Sequence, residues 1–173
     1  MNKSVRVTLC ILLLSSFHSF AQSGKEKTIL IGFNSTGSEF IFWEDNTYGG
    51  NVQFIYEITK FGGDFSAIGF KASGIFADGF TGGYGGINLR IDEPFFIDLD
   101  ALIGYSGISN TDLLKSYERG TTEYSGMAFV SSIGVGYRIP ESPLLFRLAY
   151  GIHIPFTGSG LNGALNLQLG FRF

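Results

Sequence analysis

At 173 residues with a formal net charge of -3, the chain is long enough for one domain, and its scattered bases give no electrostatic footprint for nucleic acid. Glycine (25), Phe (18) and Tyr (8) are abundant, and no helical stripe of apolar residues runs through them. That combination argues against a helical bundle and for an all-β barrel.

The chain opens with MNKSVRVTLCILLLSSFHSFA. Lys3 and Arg6 supply a positive start, Val7 to Leu14 an apolar run, and Ser19-Phe20-Ala21 a small-x-small cleavage site, so residues 1–21 read as a secretory signal peptide. The apolar run is too short to cross a bilayer as a helix. Removing Lys3 and Arg6 from the 12 Lys plus Arg leaves 10 against 15 Asp plus Glu, a net charge of -5 for the domain at 22–173. Cys10 is the only cysteine and leaves with the leader. The mature chain then has no disulfide, no Cys-based metal site and no thiol nucleophile.

After a polar lead from Gln22 to Glu26, apolar residues recur with a period of two, the signature of strands with one apolar face. The first strand is read over 27–34, with Ile29, Ile31 and Phe33 on one face. A loop-like stretch from Ser35 to Gly50 follows, and the fate of its 36–49 segment stays open: a loop, an EFIFW run that extends the neighbouring strands, or an extra hairpin. The second strand, 51–61, sets Val52, Phe54, Tyr56 and Ile58 against Gln53 and Glu57, and places Lys60 near its end on the apolar face, where a long side chain can snorkel. Gly62-Gly63-Asp64 is a tight hairpin turn. The third strand is 65–77, Asp78 to Gly82 a loop, and the fourth strand 83–91.

Asp92-Glu93-Pro94 makes a short turn into the fifth strand, 95–107, where Phe95, Ile97, Leu99, Ile103 and Tyr105 oppose Asp98, Asp100 and Ser106. A polar connection, 108–121, leads to the sixth strand at 122–139. A turn at 140–143 leads to the seventh at 144–156, with Phe146, Leu148, Tyr150, Ile152 and Ile154 opposite Arg147 and His153. A loop at 157–162 precedes the last strand. The short connections near Gly62, Glu93 and Glu141 all fall at the end that holds both termini, and the longer ones at Ser35, Ile108 and Thr157 at the other. An even strand count with this asymmetry is the pattern of a transmembrane barrel.

The faces say which side is out. One face of every strand is apolar or small, and the other carries Glu57, Lys71, Arg90, Asp98, Asp100, Arg138, Arg147, His153 and Arg172. Arg or Lys on a lipid face costs about 2–4 kcal/mol at the midplane, so the charged face belongs in the lumen. Tyr105, Tyr150 and Phe156 then lie toward the long loops, and Phe95, Tyr137, Phe146 and Phe173 toward the short turns, as two interfacial girdles.

The chain ends on ALNLQLGFRF. Leu165, Leu167, Leu169, Phe171 and Phe173 share one face, and Ala164, Asn166, Gln168, Gly170 and Arg172 the other. In this the sequence resembles bacterial outer-membrane β-barrel proteins, which finish on an amphipathic strand with a terminal Phe, and in particular the small OmpA/OmpX-like porin families. The resemblance implies an eight-stranded antiparallel up-and-down transmembrane β-barrel in the bacterial outer membrane, surrounded by outer-membrane lipid. It implies that the barrel assembly machinery reads Phe173 as an assembly signal. The Ala21-Gln22 junction and the aromatic richness resemble secreted proteins of Bacteroidetes. The rival architecture is a lipocalin-like barrel. It would invert the faces, and it wants a Gly-x-Trp where this chain has Ile41-Phe42-Trp43.

Asp98 and Asp100, two residues apart on one face, could serve acid–base chemistry or a metal. Eight strands leave room for little beyond side chains, so ion pairing is the stronger reading. Glu57, Lys71, Arg90, Asp98, Asp100, Arg138, Arg147 and Arg172 are expected to form a lumenal ion-pair network, with Arg90 and Asp98 opposite each other across the Glu93-Pro94 turn. No cofactor or metal is expected. The mature chain's one histidine, His153, invites comparison with the outer-membrane lipid A deacylases and palmitoyl transferases. The deacylases carry a His-x-Ser motif with an outward-facing triad, whereas here the sequence is His153-Ile154-Pro155 and the ring faces inward. GGYGG at 82–86 does not open a helix and is no phosphate loop. The reading that results is a non-enzymatic structural or surface-interaction barrel with a filled lumen. A narrow channel or carrier for a small solute is the first alternative and a lipid-modifying enzyme the second.

Overall fold

The computed structural model describes residues 25–37, 46–61, 66–91, 94–110, 113–116, 123–157 and 160–173. The leader at 1–21, the EFIFW run, the Gly62-Gly63-Asp64 turn and Asp92-Glu93 lie outside the described residues. Eight strands follow in order: β1 (Lys27–Gly37), β2 (Thr47–Phe61), β3 (Ser66–Ala77), β4 (Phe80–Ile91), β5 (Phe95–Ile108), β6 (Tyr124–Arg138), β7 (Leu144–Pro155) and β8 (Asn162–Arg172). Each is antiparallel to the next, and β8 returns to β1, closing the sheet. Phe173 extends the closure by one residue: its N–H donates to the Lys27 carbonyl at 3.0 Å, and its own carbonyl accepts from the Lys27 N–H at 3.1 Å.

The alternation in the sequence becomes the two faces of this wall. Ile31, Phe33, Val52, Phe70, Ile97, Leu99, Ile133, Phe146 and Leu167 stand exposed on the outside, with Phe95 reaching 74 %. Lys71, Arg90, Asp98, Asp100, Arg138 and Arg147 are buried inside. A lipocalin-like arrangement is thereby overturned, since that barrel would carry its charge outward. At the long-loop end Tyr105 and Phe156 are exposed, and Tyr48 stacks on Phe33 with ring centroids 5.7 Å apart. At the short-turn end Phe95 and Tyr137 meet at 4.8 Å.

Several details depart from the sequence reading, each for a local reason. The loop expected from Ser35 to Gly50 is shorter, because β1 runs on to Gly37 and β2 starts at Thr47, with Ser35 and Thr36 paired to Tyr48 and Thr47 in the ladder. Asp78 to Gly82 is not a loop: β3 and β4 are joined by a tight turn at Asp78-Gly79, and Gly79 takes a left-handed φ of 64° that the turn requires. One short connection therefore lies at the long-loop end. The polar connection after β5 holds a single 3-10 turn, Leu113–Ser116, and buries Leu113 and Leu114 in the barrel mouth. In β2 the ladder to β3 slips between Glu57 and Thr59, a β-bulge that inserts one residue. Beyond it Lys60 pairs with lumen-facing Ala67 and lines the short-turn mouth, instead of sitting on the apolar face. Finally, the lumen is not polar throughout. Leu30, Ile55, Phe96 and Leu145 form a small apolar layer near the short turns, and Ile75, Phe80, Tyr84, Leu102, Ile108, Leu113, Leu114 and Tyr124 form a larger one under the long loops.

Candidate functional site

Between the two apolar layers lies a charged knot. Arg147 of β7 grips Asp98 of β5 with both prongs, Nε to Oδ2 at 2.7 Å and Nη2 to Oδ1 at 2.6 Å. Its Nη2 also reaches Asp100 Oδ2 at 3.0 Å. Lys71 Nζ, from β3, donates to the same oxygen at 2.6 Å, Ser132 Oγ at 2.5 Å, and Asn88 Nδ2 donates to Asp100 Oδ1 at 2.8 Å. Two bases thus face two carboxylates, and the knot is neutral. Neutrality matters because each of these side chains is almost wholly removed from water, and an unmatched charge there costs several kcal/mol.

Space for the knot comes from Gly134 on β6. A Cβ there would lie 2.4 Å from Asp98 Oδ1 and 2.7 Å from Arg147 Nε and Nη2. From Arg147 Nη1 a relay of amides crosses the lumen. The guanidinium donates to Gln168 Oε1 at 2.7 Å, Gln168 Nε2 to Asn51 Oδ1 at 2.5 Å, and Asn51 Nδ2 to Asn166 Oδ1 at 2.8 Å. Asn34 Nδ2 donates to the same Asn166 oxygen at 2.9 Å, and Thr36 Oγ1 closes the run on Asn34 Oδ1 at 2.6 Å. Satisfied buried amides of this kind fix the relative positions of strands that are not neighbours.

The sequence expectation treated eight charged residues as one network. The structure separates them into two groups. Lys71, Asp98, Asp100 and Arg147 make the knot. Arg90, Arg138 and Arg172 turn the other way, to the short-turn mouth, and converge on Glu26 at 2.9, 2.7 and 3.6 Å, with Glu57 lying 4.0 Å from Arg90. Arg90 does stand opposite Asp98 in the ladder, yet its carboxylate partner is Glu26, because Arg147 has already taken Asp98. Glu26 was missed: it precedes β1, in a lead too short to show a period.

Glu26 lies just outside the membrane-spanning strands. Burial pushes its carboxyl up, but the three arginines outweigh this and hold it below its ordinary value of 4.5. A carboxyl that ionises more readily in the barrel than in the unfolded chain contributes stability above 4.5, and that contribution disappears as pH falls through the lower folded value. The urea midpoint of wild type should therefore exceed that of Glu26→Gln at pH 7, and the gap should close on acidification. Parallel pH profiles for the two proteins would contradict this.

Above the knot, His153 Nε2 lies 2.9 Å from Ser106 Oγ, so the serine absent from the local sequence is supplied by β5. The two positions stand at one level of the lumen, two strands apart. His153 Nδ1 is buried and has no hydrogen-bond partner, so among the described residues no carboxylate orients the ring as a triad requires. Phe80 and Tyr84 press edgewise on the imidazole at 5.3 and 6.0 Å. The cavity beside it holds only about 30 Å³, room for a water and far less than an acyl chain. Among the described residues no group of three or more His, Cys, Asp or Glu is placed to hold a metal.

A closed barrel with an apolar belt outside and its charge inside satisfies its backbone within the wall and presents a largely apolar, uncharged surface to lipid. The chain is an eight-stranded transmembrane β-barrel of the bacterial outer-membrane class. Neither a family model nor a curated protein sequence matches it. Among solved structures it is similar to Ail, the attachment invasion locus protein of Yersinia pestis, at 18% identity and a TM-score of 0.52, covering 86% of this chain and 99% of that one. It is similar to Neisserial surface protein A at 11% identity and a TM-score of 0.49, over 87% of this chain and 96% of the other. The outer-membrane enzyme PagL follows at 10% identity and 0.48, over 86% and 98%. What these likenesses share is the fold.

Proposed function

We propose that this chain is a non-enzymatic, non-conducting outer-membrane barrel, a structural or surface-interaction protein whose plugged wall carries its long connections outside the cell. The observation that supports this reading is the lumen. A neutral knot of four buried charges lies beneath an apolar layer made by Phe80, Ile108, Leu113, Leu114 and Tyr124. Water and ions are opposed twice, once by matched charge and once by apolar side chains.

In this reading the leader at 1–21 exports the chain, Phe173 serves the barrel assembly machinery as its recognition point, and the long connections meet an extracellular partner. Phe173 is half exposed at the short-turn rim, a placement that suits such a role. The lipid-modifying alternative has the Ser106–His153 contact in its favour. The missing partner on Nδ1 and the cramped cavity count against it.

Planar-bilayer recording of the purified barrel tests the proposal. The expected result is no steady ohmic conductance. Steady conductance with anion preference would replace the plugged barrel with the narrow solute channel.

A further inference from the structure

We propose that His153 is a proton-operated latch on the long-loop mouth: its neutral imidazole lets the Leu113–Ser116 turn dock in the lumen, and uptake of a proton releases that turn. His153 is only 4% exposed, and the groups around it are uncharged. Phe80 and Tyr84 of β4 press on the ring, and Ser106 of β5 holds Nε2. In the ladder His153 stands between Val130 of β6 and Asn162 of β8. No side chain meets Nδ1. Among the described residues no charged side chain acts on the ring.

The acid lining the cavity beside His153 is Asp100. Its oxygens are already taken by Lys71, Arg147, Ser132 and Asn88, and Asp98 is taken by Arg147. The titratable groups of the apolar layer itself are Tyr84 and Tyr124, and phenols stay neutral throughout the acid range. A neutral imidazole suits this setting and an imidazolium does not. In the charged ring both nitrogens donate. Ser106 can accept from one, while the other is left buried beside a charge that no carboxylate matches. The proton therefore favours a state in which water reaches the ring.

The wall cannot supply that state cheaply, since β7 is bonded to β6 and β8 along both edges. The Leu113–Ser116 turn can. Leu113 and Leu114 pack in the same layer as Phe80 and Tyr84, so the rings that touch His153 also seat the turn. The turn is a single 3-10 turn, with the Leu114 N–H donating to the Asn110 carbonyl at 3.3 Å. It is held by the burial of two leucines more than by its own backbone, which makes it the first element to open. The inference builds on the reading of the long connections as the outward surface of a plugged barrel: acid would change how the connection after β5 is presented. Exchange at the turn reports docking, and bilayer conductance remains the separate test of the plug. Asp112, Glu118 and Arg119 of that connection lie outside the described residues. An acid among them that neutralised the imidazolium would leave the docking independent of pH, which the experiment registers as failure.

The folded barrel in micelles is followed by NMR amide exchange from about pH 7.5 to about pH 4, each rate divided by the intrinsic rate at that pH. Wild type is compared with His153→Asn, which keeps a polar side chain near Ser106 and carries no charge at any pH. Across the range, corrected exchange at Leu114 is expected to rise about tenfold in wild type and to stay flat in the variant. The Leu148 amide, inside the ladder of β6, β7 and β8, should stay protected in both. Only the pH dependence is compared, so a constant offset from altered packing cancels. His153→Gln takes the place of His153→Asn if the latter does not fold. A flat wild-type profile, an equal rise in wild type and variant, or loss of protection at Leu148 in step with Leu114 overturns the proposal.

Discussion

Replacing Arg147 with methionine is expected to cost the barrel about 3–5 kcal/mol, because it strands Asp98 with no base and leaves Asp100 dependent on Lys71. Most of the loss comes from the carboxylate left behind and little from the pair's own attraction. Asp98→Ala should cost less than Arg147→Met, since Arg147 keeps Asp100 at 3.0 Å and Gln168 at 2.7 Å. Removing both partners, Arg147→Met with Asp98→Leu, should recover part of the loss and leave Lys71 and Asp100 as a matched pair. Equilibrium urea unfolding in lipid vesicles, read by gel mobility, orders the three variants. A double variant weaker than Arg147→Met alone would show that the knot is not held by charge balance.

Valine at Gly134 is expected to be about as damaging, at about 3 kcal/mol or more, by a different route. The knot would remain chemically complete but have nowhere to sit. The first carbon of the new side chain falls inside the Asp98–Arg147 contact, and neither partner can retreat because both are packed against the lumen. Gly83→Val is the matched control, since a Cβ at Gly83 meets nothing within 4 Å. If the two glycine variants unfold at the same urea concentration, the space at Gly134 is not what the pair needs.

The strands were legible because lipid outside and charge inside write the same period of two into every segment. β3, β5 and β7 start within a residue of where the pattern places them. What escaped notice lies where that period carries no information. Leu30, Ile55, Phe96 and Leu145 point inward, yet each sits between apolar neighbours that point outward, so the alternation fades into a continuous apolar run. Leu113 and Leu114 are buried, but their contribution is invisible in a stretch that also holds Asp112 and Lys115. Lys60 was misplaced because a bulge resets the phase without marking the sequence. The pairing of Ser106 with His153, and of Glu26 with three arginines, depends on the register around a closed ring. That register is a sum over every strand between the partners. The charged knot was half legible: its members were recognisable as lumenal, while their division from the mouth cluster depended on Arg147 outcompeting Arg90 for Asp98.

The seam between β1 and β8 runs from the Thr28–Arg172 pair to the Gly37–Gly163 pair without a shift in register, and the Lys27–Phe173 hydrogen bonds lock its lower end. The place where first and last strands meet is the natural place for a barrel to part sideways, and here it is stitched from the Thr28–Arg172 pair to the Gly37–Gly163 pair. A lipid tail or an apolar solute in the bilayer therefore has no lateral doorway into the lumen. Whatever this protein exchanges with its surroundings, it exchanges at its two rims.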